Sequence, residues 1–210
     1  ALVPAGGLLG EGFGQSVAMT VDGSLVIVGA PQTDRGGLLD VGAARVFARA
    51  GTVWAEEATL LASDRATDDE LGSGVALSDD GSRALVGVHL DDTPGGVDAG
   101  SARVFVRAGT TWAEEAMLVA PDGAAGDLLG VSVALSADAT RALIGAPTDD
   151  VAPGDNAGTA RVFLRSGTTW TFESTLAASG GLPGDASGAS VALSASGDRA
   201  RPTVVFRSSA

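Results

Sequence analysis

The chain of 210 residues has no cysteine, no lysine and no tyrosine, and it has a single histidine. Without cysteine it can form neither a disulfide framework nor a thiolate metal site. All 13 basic residues are arginines and they face 26 acids, for a net charge of −13. Nucleic acid is therefore a poor partner, because phosphate binding relies on clustered positive charge. The apolar runs are too short to cross a bilayer, so we expect a soluble protein with no membrane insertion.

What the chain does contain is one segment repeated at intervals of 58 residues. The interval separates equivalent residues over four copies, and it is kept without insertion or deletion until the fourth. A period of this length, built from short apolar runs, is typical of a β-propeller. The positions that show the interval are Val17, Val75, Val133 and Val191; Gly29, Gly87 and Gly145; Gly42, Gly100 and Gly158; and Trp54, Trp112 and Trp170.

Each complete copy predicts four strands, a to d, which in the third copy cover 130–136, 141–147, 158–165 and 170–177. Short polar turns between a and b and between c and d are typical of hairpins. Strand c is apolar on both faces at its centre, which indicates a sheet covered on both sides. The predicted fold class is all-β, a propeller of 58-residue four-stranded antiparallel blades, with three complete blades and a partial fourth. We expect one domain over 1–210, with blades at about 12–71, 72–129, 130–187 and 188–210 and a strand stub at 1–3.

Two short phrases recur in the copies, and the first copy has both, as Phe13-Gly14 and Gly29-Ala30-Pro31. Later copies keep or vary them as Leu71-Gly72, Leu129-Gly130, Ser187-Gly188, Gly87-Val88-His89 and Gly145-Ala146-Pro147. With these phrases the sequence resembles, over nearly its whole length, the bacterial FG-GAP repeat family, whose blades are similar to those of the integrin α-subunit propeller.

The resemblance implies an extracellular or cell-surface bacterial protein and a non-enzymatic module for binding, adhesion or scaffolding, with an unknown protein or glycan ligand. Two alternatives stay open: a purely structural spacer array, and an accessory domain of a larger extracellular hydrolase. Integrin-type blades bind calcium in the loop between strands a and b. Here those turns are short and hold at most two acids, Asp79 and Asp80, so we do not expect that site.

The acids concentrate on one face of the predicted ring. In a four-stranded meander the b-to-c and d-to-a loops share one face, and they contain 15 of the 26 acids. Calcium takes six to eight oxygen ligands, so these loops predict a calcium site. The alternative is that the acids only form turns and keep the surface soluble. The candidate ligands are Asp91, Asp92, Asp98, Asp149, Asp150, Asp155 and Asn156.

Other conspicuous residues predict structural roles. His89 has no second histidine beside it, and no catalytic grouping or phosphate-binding turn is recognisable, so we expect no enzyme activity. The tryptophans that begin each strand d are expected to pack between blades. Three arginines before the c-to-d turn are expected to cap strand ends and to pair with glutamates of strand d. These are Arg49, Arg107 and Arg165, with Glu57, Glu115 and Glu173.

The sequence alone is compatible with three arrangements of the blades around the ring. The fourth copy departs from the pattern after Ala200, and residues 1–3 align with the end of strand d in the second copy. The stub can close a four-bladed ring, two chains can self-associate into seven blades, or the chain can belong to a longer array. An uncovered blade face leaves apolar surface in water, so we expect an open monomer to be sticky.

Overall fold

The computed structural model describes residues 2–203 except 5, 8–9, 151–155 and 180. The described part contains only strands and turns. The first blade consists of β1 (Val17–Met19), β2 (Leu25–Ala30), β3 (Ala43–Ala50) and β4 (Val53–Leu60). The second consists of β5 (Leu71–Leu77), β6 (Arg83–Val88), β7 (Ser101–Ala108) and β8 (Thr111–Leu118), and the third of β9 (Ser132–Leu135), β10 (Arg141–Ala146), β11 (Thr159–Ser166) and β12 (Thr169–Ala177). The fourth has β13 (Ser190–Leu193) and β14 (Ala200–Thr203).

Each complete blade is an antiparallel meander in which neighbouring strands are consecutive in the chain. This confirms the predicted all-β propeller with three four-stranded blades and a partial fourth. The register between the third and fourth strands shifts at the same place in every blade, at Val46/Phe47, Val104/Phe105 and Val162/Phe163. A bulge of this kind increases strand twist, so its repetition gives all three outer hairpins the same twist.

The hydrophobic core lies between blades. One cluster joins the first and second blades and includes Ile27, Leu60 and Phe105, and a second joins the next pair and includes Leu118 and Phe163. Strand β2 is buried along its whole length, as the apolar character of both its faces requires. A single blade therefore cannot bury its own apolar surface, and stability depends on the stacking of neighbours.

The glycines of the two repeated phrases are in contact with each other between blades. A Cβ at Gly29, Gly87 or Gly145 would lie 2.0, 1.9 or 1.9 Å from the carbonyl oxygen of the Gly72, Gly130 or Gly188 that begins the next blade. The backbones approach too closely there for any side chain, which explains why both phrases contain glycine.

The chain termini differ in part from the expected pattern. Residue 1 of the predicted stub 1–3 lies outside the described residues, and Leu2 and Val3 are not in a strand. Leu2 instead packs against the first blade, beside Val26, Val28 and Phe47. The first strand of the second blade, β5, begins at Leu71. No helix in the described ranges is long and apolar enough to span a membrane.

Candidate functional site

The b-to-c and d-to-a loops lie together on one side of the propeller, as the meander predicts, and we call this surface the loop face. It comprises 31–42, 61–70, 89–100, 119–128, 147–150, 156–158 and 178–187, without residue 180. Each d-to-a loop is joined by backbone hydrogen bonds to the b-to-c loop of the preceding blade. The N–H groups of Asp68, Glu70 and Leu71 donate to the carbonyls of Leu39, Asp40 and Val41.

The same joint recurs at the next blade, where Gly126, Leu128 and Leu129 donate to Val97, Asp98 and Ala99. The loop face is therefore fixed by main-chain contacts that do not depend on the identity of most loop side chains.

A buried arginine lies beneath the loop face in every complete blade. Arg103 of β7 is 2% exposed, and its Nη2 lies 2.7 Å from Asp91 Oδ2 and 2.9 Å from Asp64 Oδ1, while its Nη1 lies 3.2 Å from Glu114 Oε1. The hydroxyl of Ser101 also donates to Asp91. The guanidinium thus binds a b-to-c loop, a d-to-a loop and an outer strand together.

Arg161 repeats this arrangement in the third blade. It pairs with Asp149 and Asp122 and donates to the hydroxyl of Thr175. In both blades the central aspartate is itself buried, at 6% exposure, and the arginine neutralises its negative charge.

The first blade neutralises its arginine with a partly different set of acids. The residue equivalent to Asp91 is Thr33, which is uncharged and therefore forms no ion pair with the arginine. Its hydroxyl donates to the carbonyl of Ala30. Arg45 instead lies 3.4 Å from Glu11, where the other blades have Asp69 and Asp127, and 3.2 Å from Glu56. The longer glutamate thus supplies the carboxylate that position 33 lacks.

The remaining buried acids of the loop face are costly to ionise. Burial raises the pKa of Asp69 to about 6, and repulsion from Asp91 and Asp64 adds to this. Burial also raises the pKa of Asp127 and of Glu70. Arg103 and Arg161 lower the pKa of Asp69 and Asp127 by less than burial raises it, and Glu70 is instead repelled by Asp40 and Asp68.

The structure separates the predicted calcium ligands into different roles. Asp91 and Asp149 are the arginine partners described above, and the Oδ2 atom of each accepts from a guanidinium and from a hydroxyl. Asp92 Oδ1 accepts the backbone N–H of Asp98 at 3.0 Å, and Asp150 Oδ1 accepts that of Asn156 at 2.7 Å. Each contact closes the b-to-c loop of its own blade. The residues whose N–H groups donate, Asp98 and Asn156, have positive φ angles of 52° and 54°. Asp155 lies outside the described residues.

Over the part of the chain that the structure describes, no three histidine, aspartate or glutamate side chains are grouped to hold a metal ion. A calcium site therefore stays a prediction, and the described candidate ligands that pair with no arginine are Asp92, Asp98, Asp150 and Asn156. On the opposite face, Asp80 Oδ1 accepts from the backbone of Ser82 and the hydroxyl of Ser78, so this acid of the a-to-b turn caps its own turn.

Two of the three tryptophans pack between blades, as predicted, whereas Trp54 packs against Val26, Val28 and Phe47 of its own blade. Trp112 packs on the cluster between the first two blades, and its Nε1 donates to Glu57 of the preceding blade at 2.9 Å. Trp170 packs on the next cluster, and its Nε1 donates to Glu115 at 3.2 Å. Each of these two indoles therefore joins an outer strand to the one before it.

Of the three arginines predicted to pair with strand-d glutamates, only Arg107 does so, and its partner is the glutamate of the preceding blade. Glu57 binds Arg107 of the following blade, while Glu115 and Glu173 bind Arg83 and Arg141 on the second strand of their own blades. The first blade has Leu25 where the others have these two arginines. Glu57 therefore has no arginine on its own second strand and pairs with Arg107 instead.

The two remaining arginines of the predicted set have other contacts. Arg49 lies over the ring of Trp54, and Arg165 donates to the carbonyls of Ala139 and Gly167. Arg165 therefore caps a strand end, as expected, without a glutamate.

His89 begins the b-to-c loop of the second blade and lies beside the d-to-a loop 61–70 that leads into that blade. Its Nε2 is 3.7 Å from Glu70 Oε2, and burial lowers the pKa of the imidazole. A single neutral imidazole beside one carboxylate provides no nucleophile system.

Comparison with known proteins supports the architecture. A search of curated proteins gave no match. A solved structure, Saccharomyces cerevisiae Sqt1, is similar in fold with a TM-score of 0.51 at 9% identity, over 79% of this chain and 36% of that one. The chain thus spans about a third of the structure it matches, and the likeness concerns the fold alone. The model of the FG-GAP repeat matches residues 1–47, 54–105 and 112–163. Together with the glycine contacts between blades, this establishes that the chain belongs to the FG-GAP repeat family.

Proposed function

We propose that this chain is a non-enzymatic binding module of an extracellular or cell-surface bacterial protein, and that the loop face is its recognition surface. The observation that carries the proposal is the division of the acids on that face. Some are buried and neutralised by arginine, whereas others project into water from loops locked by backbone hydrogen bonds. A rigid frame presenting unpaired charges suits recognition, because little ordering is required on binding.

The exposed acids define the chemistry of the ligand. Asp34, Asp68, Asp92 and Asp150 are exposed and have no ion pair with any described residue, and Asp64 and Asp122 remain about half or more exposed beside their arginines. The net charge of −13 adds a long-range field of the same sign. The ligand is therefore a surface with positive charge, and we favour a basic protein segment over a neutral glycan.

A binding screen with matched variants tests this function. The protein is applied to protein and glycan arrays with calcium and with a chelator, alongside the double variant Asp92→Asn/Asp150→Asn. Asp79→Asn is the matched control, because Asp79 is exposed on the opposite face. We expect a ligand whose binding is lost in the double variant and retained in the control. Asp91 and Asp149 are left unchanged because they hold the buried arginines.

The absence of any hit, or equal loss in the control, would contradict recognition by the loop face. That outcome would favour the spacer array, in which the loops bind nothing. A hit that persists in the chelator would show that the carboxylates act directly and not through a metal.

A further inference from the structure

The segments of the loop face contain two arginines, and both line the same cavity. Arg35 lies in the b-to-c loop of the first blade, and Arg65 lies in the d-to-a loop that leads into the second blade. The cavity has a volume of about 280 Å³, and its lining consists of Arg35, Gly36, Leu38, Ser63, Asp64 and Arg65. Positive charge on this otherwise acidic surface is thus concentrated around one cavity.

Neither arginine is neutralised by a carboxylate of the described residues. Arg35 is exposed and forms no ion pair within the described ranges. The Nη1 of Arg65 donates to the carbonyl of Ala62 at 3.2 Å, which leaves its charge unpaired. The acid in the lining, Asp64, lies 2.9 Å from Arg103 of the second blade. The two positive charges beside the cavity are therefore available to an anion.

Local contacts hold both arginines in place before any ligand binds. The backbone of Arg35 exchanges two hydrogen bonds with Leu38, at 3.0 and 3.1 Å, around a tight turn formed by Gly36 and Gly37. The positive φ angles of these glycines, 65° and 86°, allow that turn. Arg65 is half-buried, and its hydrogen bond to the backbone holds the guanidinium. Because the donors are already positioned, little conformational entropy is lost on binding.

The pair of arginines is specific to the joint between the first two blades. One repeat later the positions of Arg35 and Arg65 are occupied by Thr93 and Gly123. The turn is nevertheless the same, since Thr93 pairs with Gly96 as Arg35 pairs with the residue three positions on. The loops therefore form without these arginines, and the repeat fold does not require their charge.

We propose that this cavity binds the side-chain carboxylate of an aspartate or glutamate of a protein ligand, and that the guanidinium groups of Arg35 and Arg65 donate to it. A guanidinium forms charge-assisted hydrogen bonds with a carboxylate, which are stronger than those with a neutral amide. The cavity belongs to the loop face, so this proposal rests on the proposed function and deepens it. The ligand combines basic residues, which the exposed aspartates attract, with one acidic residue that the two arginines bind.

The size and surroundings of the cavity favour a protein side chain over an acidic glycan. Small-molecule pockets usually have volumes of about 300–1,000 Å³, and this cavity, at about 280 Å³, lies just below that range. Asp34 and Asp68 are exposed in the same two loops. Together with the net charge of −13 they repel a chain that carries many anionic groups. A single carboxylate among neutral and basic residues avoids this repulsion.

NMR titration of the 210-residue protein at low ionic strength tests the cavity directly. The added compound is glutamate blocked at its amino and α-carboxyl groups, which carries one side-chain carboxylate. Glutamine blocked in the same way is the matched neutral compound. We expect saturable shifts in the backbone amide signals of Gly36 and Ser63. Half-saturation by the glutamate compound should occur at a concentration about fivefold lower than by the glutamine compound.

The double variant Arg35→Gln/Arg65→Gln should bind the two compounds equally. Arg35→Gln alone changes an exposed side chain and should lower the preference for glutamate to about twofold, since one guanidinium remains. Arg199→Gln is the matched control, because Arg199 is an exposed arginine on the opposite face, and it should keep the full preference. Circular dichroism verifies that each variant is folded.

Three results would overturn the proposal. The first is equal half-saturation by the glutamate and glutamine compounds, and the second is an unchanged preference in Arg35→Gln. The third is tighter binding of glucuronate than of blocked glutamate, because the ligand would then be an acidic sugar. The variant Asp92→Asn/Asp150→Asn keeps both arginines and should bind blocked glutamate normally. Failure of the cavity and failure of the proposed function therefore give different results.

Discussion

Gly87 in the second blade lies directly against Gly130 in the third, so that a Cβ on Gly87 would stand 1.9 Å from the Gly130 carbonyl oxygen. The obstacle is backbone and cannot move aside as a flexible side chain could. The blade interface is therefore set by the distance between two main chains.

Replacement of Gly87 by alanine should be severely destabilising. We expect Gly87→Ala to lower the free energy of unfolding by about 3 kcal/mol or more, since one blade must shift to relieve the overlap. Gly109→Ala is the control, because Gly109 has a positive φ of 65° and open space around it. The control should lose only about 1 kcal/mol. Urea unfolding measures both, and similar losses would mean that the close approach is unimportant.

Removal of the buried guanidinium should also be costly. Arg103→Met leaves Asp91 buried without its cation and releases the loop of Asp64, so we expect a loss of about 3–5 kcal/mol. Arg35→Met removes an exposed arginine of the loop face and should change stability by less than about 0.5 kcal/mol. Chemical denaturation of the two variants gives the comparison. If Arg103→Met were as stable as Arg35→Met, the network would contribute nothing to folding.

The indole of Trp112 should stabilise the first blade interface through its hydrogen bond to Glu57. Trp112→Phe keeps an aromatic ring but removes the donor, and we expect a loss of about 1–2 kcal/mol. Trp54 is the matched residue of the first blade, and its indole has no hydrogen bond to a described residue. Trp54→Phe should therefore have a smaller effect, and equal losses would contradict a specific role for the donor.

The raised pKa of Asp69 predicts a distinctive pH dependence. Because its folded pKa of about 6 exceeds the ordinary value of 3.8, the folded state binds the proton more tightly than the unfolded state. Its contribution to stability is full below about pH 4 and is lost as the pH rises through 6.

Asp69→Asn should therefore raise the free energy of unfolding at pH 7.5 by about 1 kcal/mol, less than the whole pKa shift because solvent screens the charge, and have little effect at pH 4. Thermal melts of both proteins across this range measure the difference. A variant that is destabilised equally at both pH values would show that the carboxylate is not strained by burial.

Calcium binding to the loop face is tested by the same melts. If Asp92, Asp98, Asp150 and Asn156 hold the ion, millimolar calcium should raise the melting temperature and a chelator should lower it. Magnesium is the control, because it prefers a smaller octahedral site. If the melting temperature did not change with calcium, the prediction of a calcium site would be wrong.

The blade architecture could be predicted because the 58-residue interval fixes strand order, and the alternation within β3 and its equivalents fixes which faces are covered. The ion pairs could not. The repeat alone does not show whether a glutamate of strand d pairs within its own blade or with the next one. Glu115 binds Arg83 of its own blade, whereas the first blade has Leu25 at that position and Glu57 binds Arg107 of the next blade.

The loop acids present the same difficulty at shorter range. Asp91 and Asp92 are adjacent and chemically identical, yet one is buried against Arg103 and the other faces water. Their roles depend on which side of the loop faces the strand below, and composition does not record this. The sequence therefore locates the acidic surface, whereas the different contacts of two adjacent aspartates emerge only from the structure.

The guanidinium of Arg103 has a consequence for how the propeller folds and evolves. Its carboxylate partners come from its own blade and from the segment that links it to the blade before. A blade cut out by itself would keep the cation and lose part of its neutralising shell. Adjacent blades should consequently melt as one cooperative unit, and duplication or exchange of units must carry the linking segment along with the sheet.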